Sequence, residues 1–415
     1  MKRILFLLSL SLFSLQAGAH SSHSLMDDSV WISVLTPDKY ERTRLAEAGV
    51  AIDSVVDDAS YAFVSKERLE LLQNLGFKIQ KSLPGSLFKD FPARDAAFHN
   101  YAEVVTELQN LERNYGRFIR LFSIGKTVQG RDIWALHFTP MDGPTSAPAI
   151  AIMGGHHARE HLSVELPLML AKHLAEKNGP DPLITELLRT REVFIIPQVN
   201  PDGSEFDIAT GTYQMWRKNR MNTANPRCTG IDLNRNYGFK WGTGGSSTDP
   251  CSDTHMGPRP FSEPETQAVK AFVESNPNIK VLLSIHTYSE LILYPWGHKY
   301  DPIENSRDLS THEAMARAMA RWNGYKPQQA SDLYIASGDT TDWSYGQLGI
   351  ISFTFELSPS QQAGGPGGGG FYPGVRAIEP TFRANLRPML YMIDLADDPY
   401  RAVTAPQTTL FYGQP

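Results

Sequence analysis

The stretch Ala149–Leu162, AIAIMGGHHAREHL, decides the fold. Five small or branched apolar residues read as a buried strand, which breaks at Gly154-Gly155 into His-His-Ala-Arg-Glu. An apolar-periodic run from Leu162 to Lys177 then reads as a helix. The polar groups therefore stand at the C-terminal edge of a strand, where open α/β sheets carry their sites. His157 and Glu160 form an H-x-x-E pair, an imidazole and a carboxylate that can both face one ion, and zinc accepts that ligand set. Spacing alone is weak evidence, since 12 histidines give about one such match by chance. His173 and Glu176 repeat it, but on the polar side of the following helix, where a solvated face is expected. His156 has Arg159, not a carboxylate, three positions on.

Outward from this unit the chain alternates. Helices are expected over Tyr101–Tyr115, Glu263–Glu274, His312–Trp322 and Pro380–Asp394. Strands are expected at Ile119–Ile124, Asp132–Phe138, Val193–Val199, Val281–Ile285 and Ile350–Phe355. Such alternation implies an α/β domain with a mixed central sheet flanked by helices. His286 ends the apolar strand before it, as His157 follows another, which makes it the natural third ligand: a catalytic zinc takes three protein ligands and keeps one position open. The glycine run 364–370 reads as a surface loop.

Before this domain, Asp28–Leu83 changes period in the order βαββαβ, a small split-βαβ sandwich. It carries no cluster of metal ligands or nucleophiles, so a folding or inhibitory unit is expected. Ser82–Arg94, with two prolines, a glycine and basic residues, reads as linker and cleavage region. The first residues have the form of a signal peptide: Lys2-Arg3, an apolar run Ile4–Leu15 too short to span a bilayer, and Ala17-Gly18-Ala19 as cleavage site. The expected layout is thus signal peptide 1–19, propeptide 20–89, catalytic domain 90–400 and C-terminal tail 401–415, in a secreted or periplasmic protein.

At 41% hydrophobic and 20% charged, the composition is that of an ordinary globular chain, and a net charge of −6 argues against nucleic-acid or anionic-membrane partners. Cys228 and Cys251, the two cysteines, either pair after export around a loop rich in Gly, Ser and Thr or stay free.

Seven motifs in order, GGHHARE, NPDG, WRKNR, IDLNRNYGFKWG, SIHTYSELILYPWG, LYIASGDTTDWSYGQLG and FTFEL, resemble the zinc metallocarboxypeptidases of the carboxypeptidase A/B family. DFPARDAAFHNY and PQQASDLYIASGD point within it to the bacterial carboxypeptidase T branch, and the resemblance spans about Asp90 to Asp397. It implies one zinc held by His157, Glu160 and His286, and Glu356 as the carboxylate that activates zinc-bound water and hands the proton to the leaving amine. Asp232 matches the position that orients the first histidine, and Arg217 the position that polarises the scissile carbonyl. Asn234 and Arg235 match the groups that hold the substrate's terminal carboxylate, where a planar guanidinium gives bidentate geometry, Tyr334 the one that closes over it, and Arg159 the approach for residues upstream.

For the specificity pocket, the resemblance puts Thr341 at the floor, where the A/B enzymes have an apolar residue or aspartate. Asp339 nearby would meet a basic terminus, so broad cleavage of large apolar and basic termini is expected. It also pairs Cys228 with Cys251, as in the animal enzymes, and makes 20–89 an intramolecular inhibitor removed by an activating protease near Lys89 or Arg94. The calcium-binding carboxylates of the T branch are not matched, since TPMDGPTSAP holds a single aspartate. Two other readings remain: a peptidoglycan stem-peptide peptidase on this fold, and a non-catalytic peptide-binding protein.

Overall fold

The computed structural model describes residues 29–52, 54–84, 95–140, 146–209, 213–360 and 370–411. The expected signal peptide, the cleavage sites near Lys89 and Arg94, the lone aspartate Asp142 and most of the glycine run lie outside them. Among the described residues no helix is long and apolar enough to cross a membrane.

The N-terminal unit has the expected order: β1 (Ser29–Leu35), α1 (Lys39–Glu47), β2 (Ser54–Val56), β3 (Ala59–Ser65), α2 (Lys66–Asn74) and β4 (Ile79–Pro84). Its sheet runs β2-β3-β1-β4, antiparallel throughout. Asp38 and Ser65 cap the two helices by accepting backbone N–H groups of the first turn. Ile32, Val34, Leu45 and Leu72 close its separate core.

The large domain follows with α3 (Tyr101–Tyr115), β5 (Ile119–Lys126), β6 (Asp132–Phe138), β7 (Ala149–Met153), α4 (Leu162–Lys177), α5 (Pro182–Thr190), β8 (Glu192–Ile196) and α6 (Pro201–Ile208). It continues with α7 (Pro264–Ser275), β9 (Ile279–Ser289), β10 (Leu291–Tyr294), α8 (Ser306–Asn323), β11 (Lys326–Gln329), α9 (Thr340–Leu348), β12 (Ile351–Ser360) and α10 (Ile378–Asp394). Eight strands form one mixed sheet in the order β11-β10-β12-β9-β7-β8-β6-β5. The central strands β12, β9, β7 and β8 are parallel. Helices cover both faces, and the strands alternate between two cores: Ile150 and Ile152 pack with α4 on one side, Ala149, Ala151 and Met153 with α7 on the other. Full burial of such a side chain stabilises by about 1.5–3 kcal/mol, which is why these strands read as continuous apolar runs.

The segment set apart as a tail packs on the domain over its described part. Phe411 is buried beside Trp322 and Tyr391, and Arg401 bonds to the Asp394 carbonyl at 2.7 Å. Cys228 and Cys251 are disulfide-bonded.

Candidate active site

Three neighbouring parallel strands bring the site together at their C-terminal ends. Met153 of β7 pairs with Ser284 of β9, so the loop after β7 leaves the sheet beside His286. Gly154 permits the turn: a Cβ there would lie 1.9 Å from the Ser163 carbonyl oxygen at the start of α4. On the other side of β9, Glu356 of β12 lies in register with His286.

His157, Glu160 and His286 are buried, with one ligand atom from each within 4.8 Å of the others. The Nδ1 atoms of the two imidazoles lie 3.1 Å apart, and Glu160 reaches His157 Nδ1 at 2.7 Å and His286 Nδ1 at 3.0 Å. Their outer nitrogens are engaged by the protein: His157 Nε2 by Asp232 at 3.1 Å, His286 Nε2 by the Ser284 hydroxyl at 3.0 Å. An ionised carboxylate only accepts, so a His157 proton sits on Nε2, which leaves Nδ1, facing Glu160, as the nitrogen that could bind an ion. Two imidazole Nδ1 atoms and a carboxylate converging on one point suit a cation, and the two-His, one-Glu set suits zinc. Burial works against charge on Glu160, but the two imidazoles outweigh it and hold the carboxyl well below its usual range. Burial lowers His286, keeping that imidazole neutral as a ligand must be.

Around this group, one cavity is lined by His157, Glu160, Arg217, Asn234, Arg235, Tyr334 and Glu356. Asp232 lies behind it, joining His157 to Arg217 through Arg217 Nε at 3.0 Å. Burial opposes its ionisation, yet Arg217 and His157 keep Asp232 well below the usual carboxylate range. Burial also opposes the charge on Arg217, and Asp232 and Glu160 more than restore it. Arg235 is fixed through its Nε to the Gly245 carbonyl at 3.0 Å and its Nη1 to the Asn234 carbonyl at 2.8 Å. Asn234 accepts from the Thr340 N–H and hydroxyl at 3.0 and 2.9 Å. Burial and the nearby Glu160 push the Glu356 carboxyl well above its usual range, Arg217 and Arg235 opposing them.

Other residues singled out from the sequence stand elsewhere. Arg159 is buried with its guanidinium 4.4 Å from the Phe371 ring centroid and Nη1 3.2 Å from Asp253. Asp339 caps α9: one oxygen accepts the N–H groups of Thr341 and Asp342 and the Thr341 hydroxyl, at 3.0, 2.9 and 2.7 Å. Its other oxygen is buried without a hydrogen-bond partner, and burial, with Asp342 adding to it, pushes the carboxyl up to about 7. His156 bonds to the Tyr237 hydroxyl at 2.9 Å, outside the ligand set. Sequence reasoning missed Thr287, Tyr288, Ser289, Phe371 and, from the N-terminal unit, Ile52, all of which line the cavity. The first three follow His286 directly and could have been found by extending β9 past it. Phe371 and Ile52 carry no signal beyond being apolar.

The zinc carboxypeptidase family pattern matches residues 104–387. A zinc carboxypeptidase of Saccharothrix mutabilis subsp. capreolus is 40% identical over 313 residues, 73% of this chain and 70% of the relative. Human carboxypeptidase A1 is 36% identical over 273 residues, 65% of this chain and 64% of the relative. Among solved structures, carboxypeptidase A from Helicoverpa armigera shares the fold with a TM-score of 0.73 at 24% identity, over 92% of this chain and 100% of that one. Bovine thrombin-activatable fibrinolysis inhibitor, solved with a tick carboxypeptidase inhibitor, gives 0.63 at 27% identity over 72% of this chain and 97% of that one.

Proposed function

The chain belongs to the zinc carboxypeptidase family, and on that premise we propose that it is an exported enzyme, made with an inhibitory N-terminal unit, that removes the last residue from peptides and proteins. The observation that carries this reading is the cavity itself, in which a metal-binding group, a carboxylate and two arginines face one another. His157, Glu160 and His286 would hold the zinc, which acidifies water and polarises a carbonyl oxygen. Arg235, with Asn234, binds the terminal carboxylate through planar donors, and Tyr334 closes over it. Arg217, held charged by Asp232, donates to the scissile carbonyl oxygen as negative charge develops there. Glu356 takes a proton from the attacking water and returns it to the departing amine, so the C–N bond breaks with no charge left on nitrogen. Asp339, with one buried oxygen free, accepts the charge of a Lys or Arg terminus, alongside cleavage of large apolar termini.

The N-terminal unit as inhibitor is supported by its seat on the cleft. Ile52 lines the cavity, Arg42 donates to the carbonyls of Asp332 and Leu333 at 3.0 and 2.5 Å, and Thr43 accepts the Ile335 N–H at 2.9 Å, bracketing Tyr334. Release by a protease within 85–94 would expose the cleft. The test is hydrolysis of blocked peptides differing only in their last residue, before and after chelation. The expected outcome is activity lost with chelator and restored by zinc, on free C-termini only. Equal cleavage of C-terminally amidated peptides would remove the exopeptidase reading.

A further inference from the structure

Asp207, near the end of α6, is wholly buried and fastens three stretches of chain at once. One oxygen accepts the Trp216 N–H at 2.7 Å, the other faces His161 Nε2 at 2.9 Å, and the Tyr372 hydroxyl lies 3.2 and 2.9 Å from the pair. Tyr372 is stacked on Tyr213, with ring centroids 3.4 Å apart and planes 16° from parallel, and the Asp207 carbonyl accepts the Gln214 N–H at 2.9 Å. Each fastened residue is the immediate neighbour of one in the cavity: His161 follows Glu160, Trp216 precedes Arg217, and Tyr372 follows Phe371. Neither Trp216 nor Tyr372 lies in a strand or helix. The Arg217 carbonyl accepts the Ala158 N–H at 3.0 Å, and the residue before it is held by Asp207. Asp232 fixes the Arg217 side chain at its guanidinium. At the backbone end, Asp207 holds the Trp216 N–H that enters Arg217, and the Ala158 N–H holds the carbonyl that leaves it.

We propose that Asp207 is a positioning residue for peptide cleavage: it sets the Arg217 backbone, and with it the aim of the guanidinium, relative to Glu160 and Phe371. This rests on the reading of Arg217 as the donor to the scissile carbonyl. Asp207→Asn is nearly isosteric and can still accept from Trp216, but it presents an N–H₂ group where His161 and Tyr372 need an acceptor. A misplacement near 1 Å costs about tenfold to a hundredfold in rate, and that loss is expected in kcat of the zinc-loaded full chain after release of its N-terminal unit. Zinc content should be unchanged and KM within about threefold, since an interaction made in the transition state acts on kcat.

The discriminating measurement is a double-mutant cycle. If Asp207 acts through Arg217, then Asp207→Asn in an Arg217→Ala background costs less than about twofold further. Equal losses in both backgrounds would mean that Asp207 serves only the stability of the fold, and would overturn the inference, as would a KM increase with kcat intact. Full kcat in Arg217→Ala alone removes the reading of Arg217 and the inference with it, and is recognised from that single variant. If Asp207→Asn does not fold, Tyr372→Phe, which removes one donor and leaves the carboxylate two, takes its place in the cycle. Its expected loss is about threefold, vanishing in the Arg217→Ala background.

Discussion

Glu160 and Glu356 are two carboxylates at one cavity, and what each faces separates their roles. Glu160 lies between two imidazoles that keep it ionised, while burial and the charge of Glu160 hold the Glu356 carboxyl high. A cation on the ligand set would offset the repulsion from Glu160, which favours the charged form of Glu356 that a base needs. Glu356→Gln keeps the shape and loses the proposed base. It is expected to lower kcat about 10²- to 10⁴-fold with zinc content retained, read by steady-state kinetics beside metal analysis. Asp339 gives a second residue-scale expectation. With its carboxyl pushed up to about 7, it is neutral below that pH and charged above it. The ratio of kcat/KM for a Lys terminus to that for a Phe terminus should therefore rise between pH 6 and 8, roughly the range around that value. Titration of Glu356 affects both substrates and cancels in the ratio. A flat ratio, or the same rise in Asp339→Asn, counts against this role.

At the scale of elements, the loops that carry Arg235 and Tyr334 depend on one glycine. Gly245 has φ +64°, and a Cβ there would fall 1.7 Å from the Ile335 carbonyl oxygen, while its own carbonyl holds Arg235. Gly245→Ala must move one strand of this contact. It is expected to cost ~1–2 kcal/mol of stability from the left-handed backbone alone. Displacement of Arg235 and Tyr334 should raise KM about tenfold, the equivalent of 1.4 kcal/mol of binding. Thermal unfolding and KM measured together check both. This dependence was not legible in the sequence, where the Gly-Ser run around 245 read only as loop. What was legible followed period: α3, β6 and α4 end where their apolar patterns end. The metal ligands were legible because His157 and Glu160 lie in the loop after an apolar strand and His286 follows the apolar run Val281–Ile285, although β9 continues past it to Ser289; the resemblance to known motifs added the arginines. Among the helices that escaped notice, α5 does carry a one-sided pattern, with Ile184, Leu187 and Leu188 buried, while α6 and α9 lack one. In α9, TTDWSYGQL, the first six residues are all buried, and its Asp339 cap reads as plain polarity. In α6, Pro-Asp-Gly reads as a turn although Asn200 caps it and Pro201 suits a first helical position. Short β10 and β11 depend on pairing with each other and with β12, which no local pattern carries.

At the scale of the whole molecule, the two units have separate cores and meet over the cleft. Much of what joins them is polar. Arg68 pairs with Asp249, the Ser252 hydroxyl donates to the Gly49 carbonyl at 2.9 Å, and Thr43 shares a hydrogen bond of 2.6 Å with Tyr300. Arg42 bears on the cleft more directly than Arg68, because its two bonds reach backbone carbonyls on the segment that carries Tyr334. A hydrogen bond from a charged group contributes about 1.5–3 kcal/mol, nearer the lower end where water competes for it, as at these partly exposed bonds. Arg42→Ala in the uncleaved chain should therefore loosen the proposed inhibitor and raise residual peptidase activity by at least about tenfold, the response to 1.4 kcal/mol. Arg68→Ala should raise it less. Cleavage introduced within 85–94, followed by dissociation, should raise activity to one common value for wild type and both variants, because neither arginine belongs to the catalytic unit. Full activity in the uncleaved wild-type chain would show that Ile52 and its neighbours lie at the cleft without closing it. A different final activity in the Arg42 variant would mean that this residue shapes the cleft by some route other than holding the inhibitor in place.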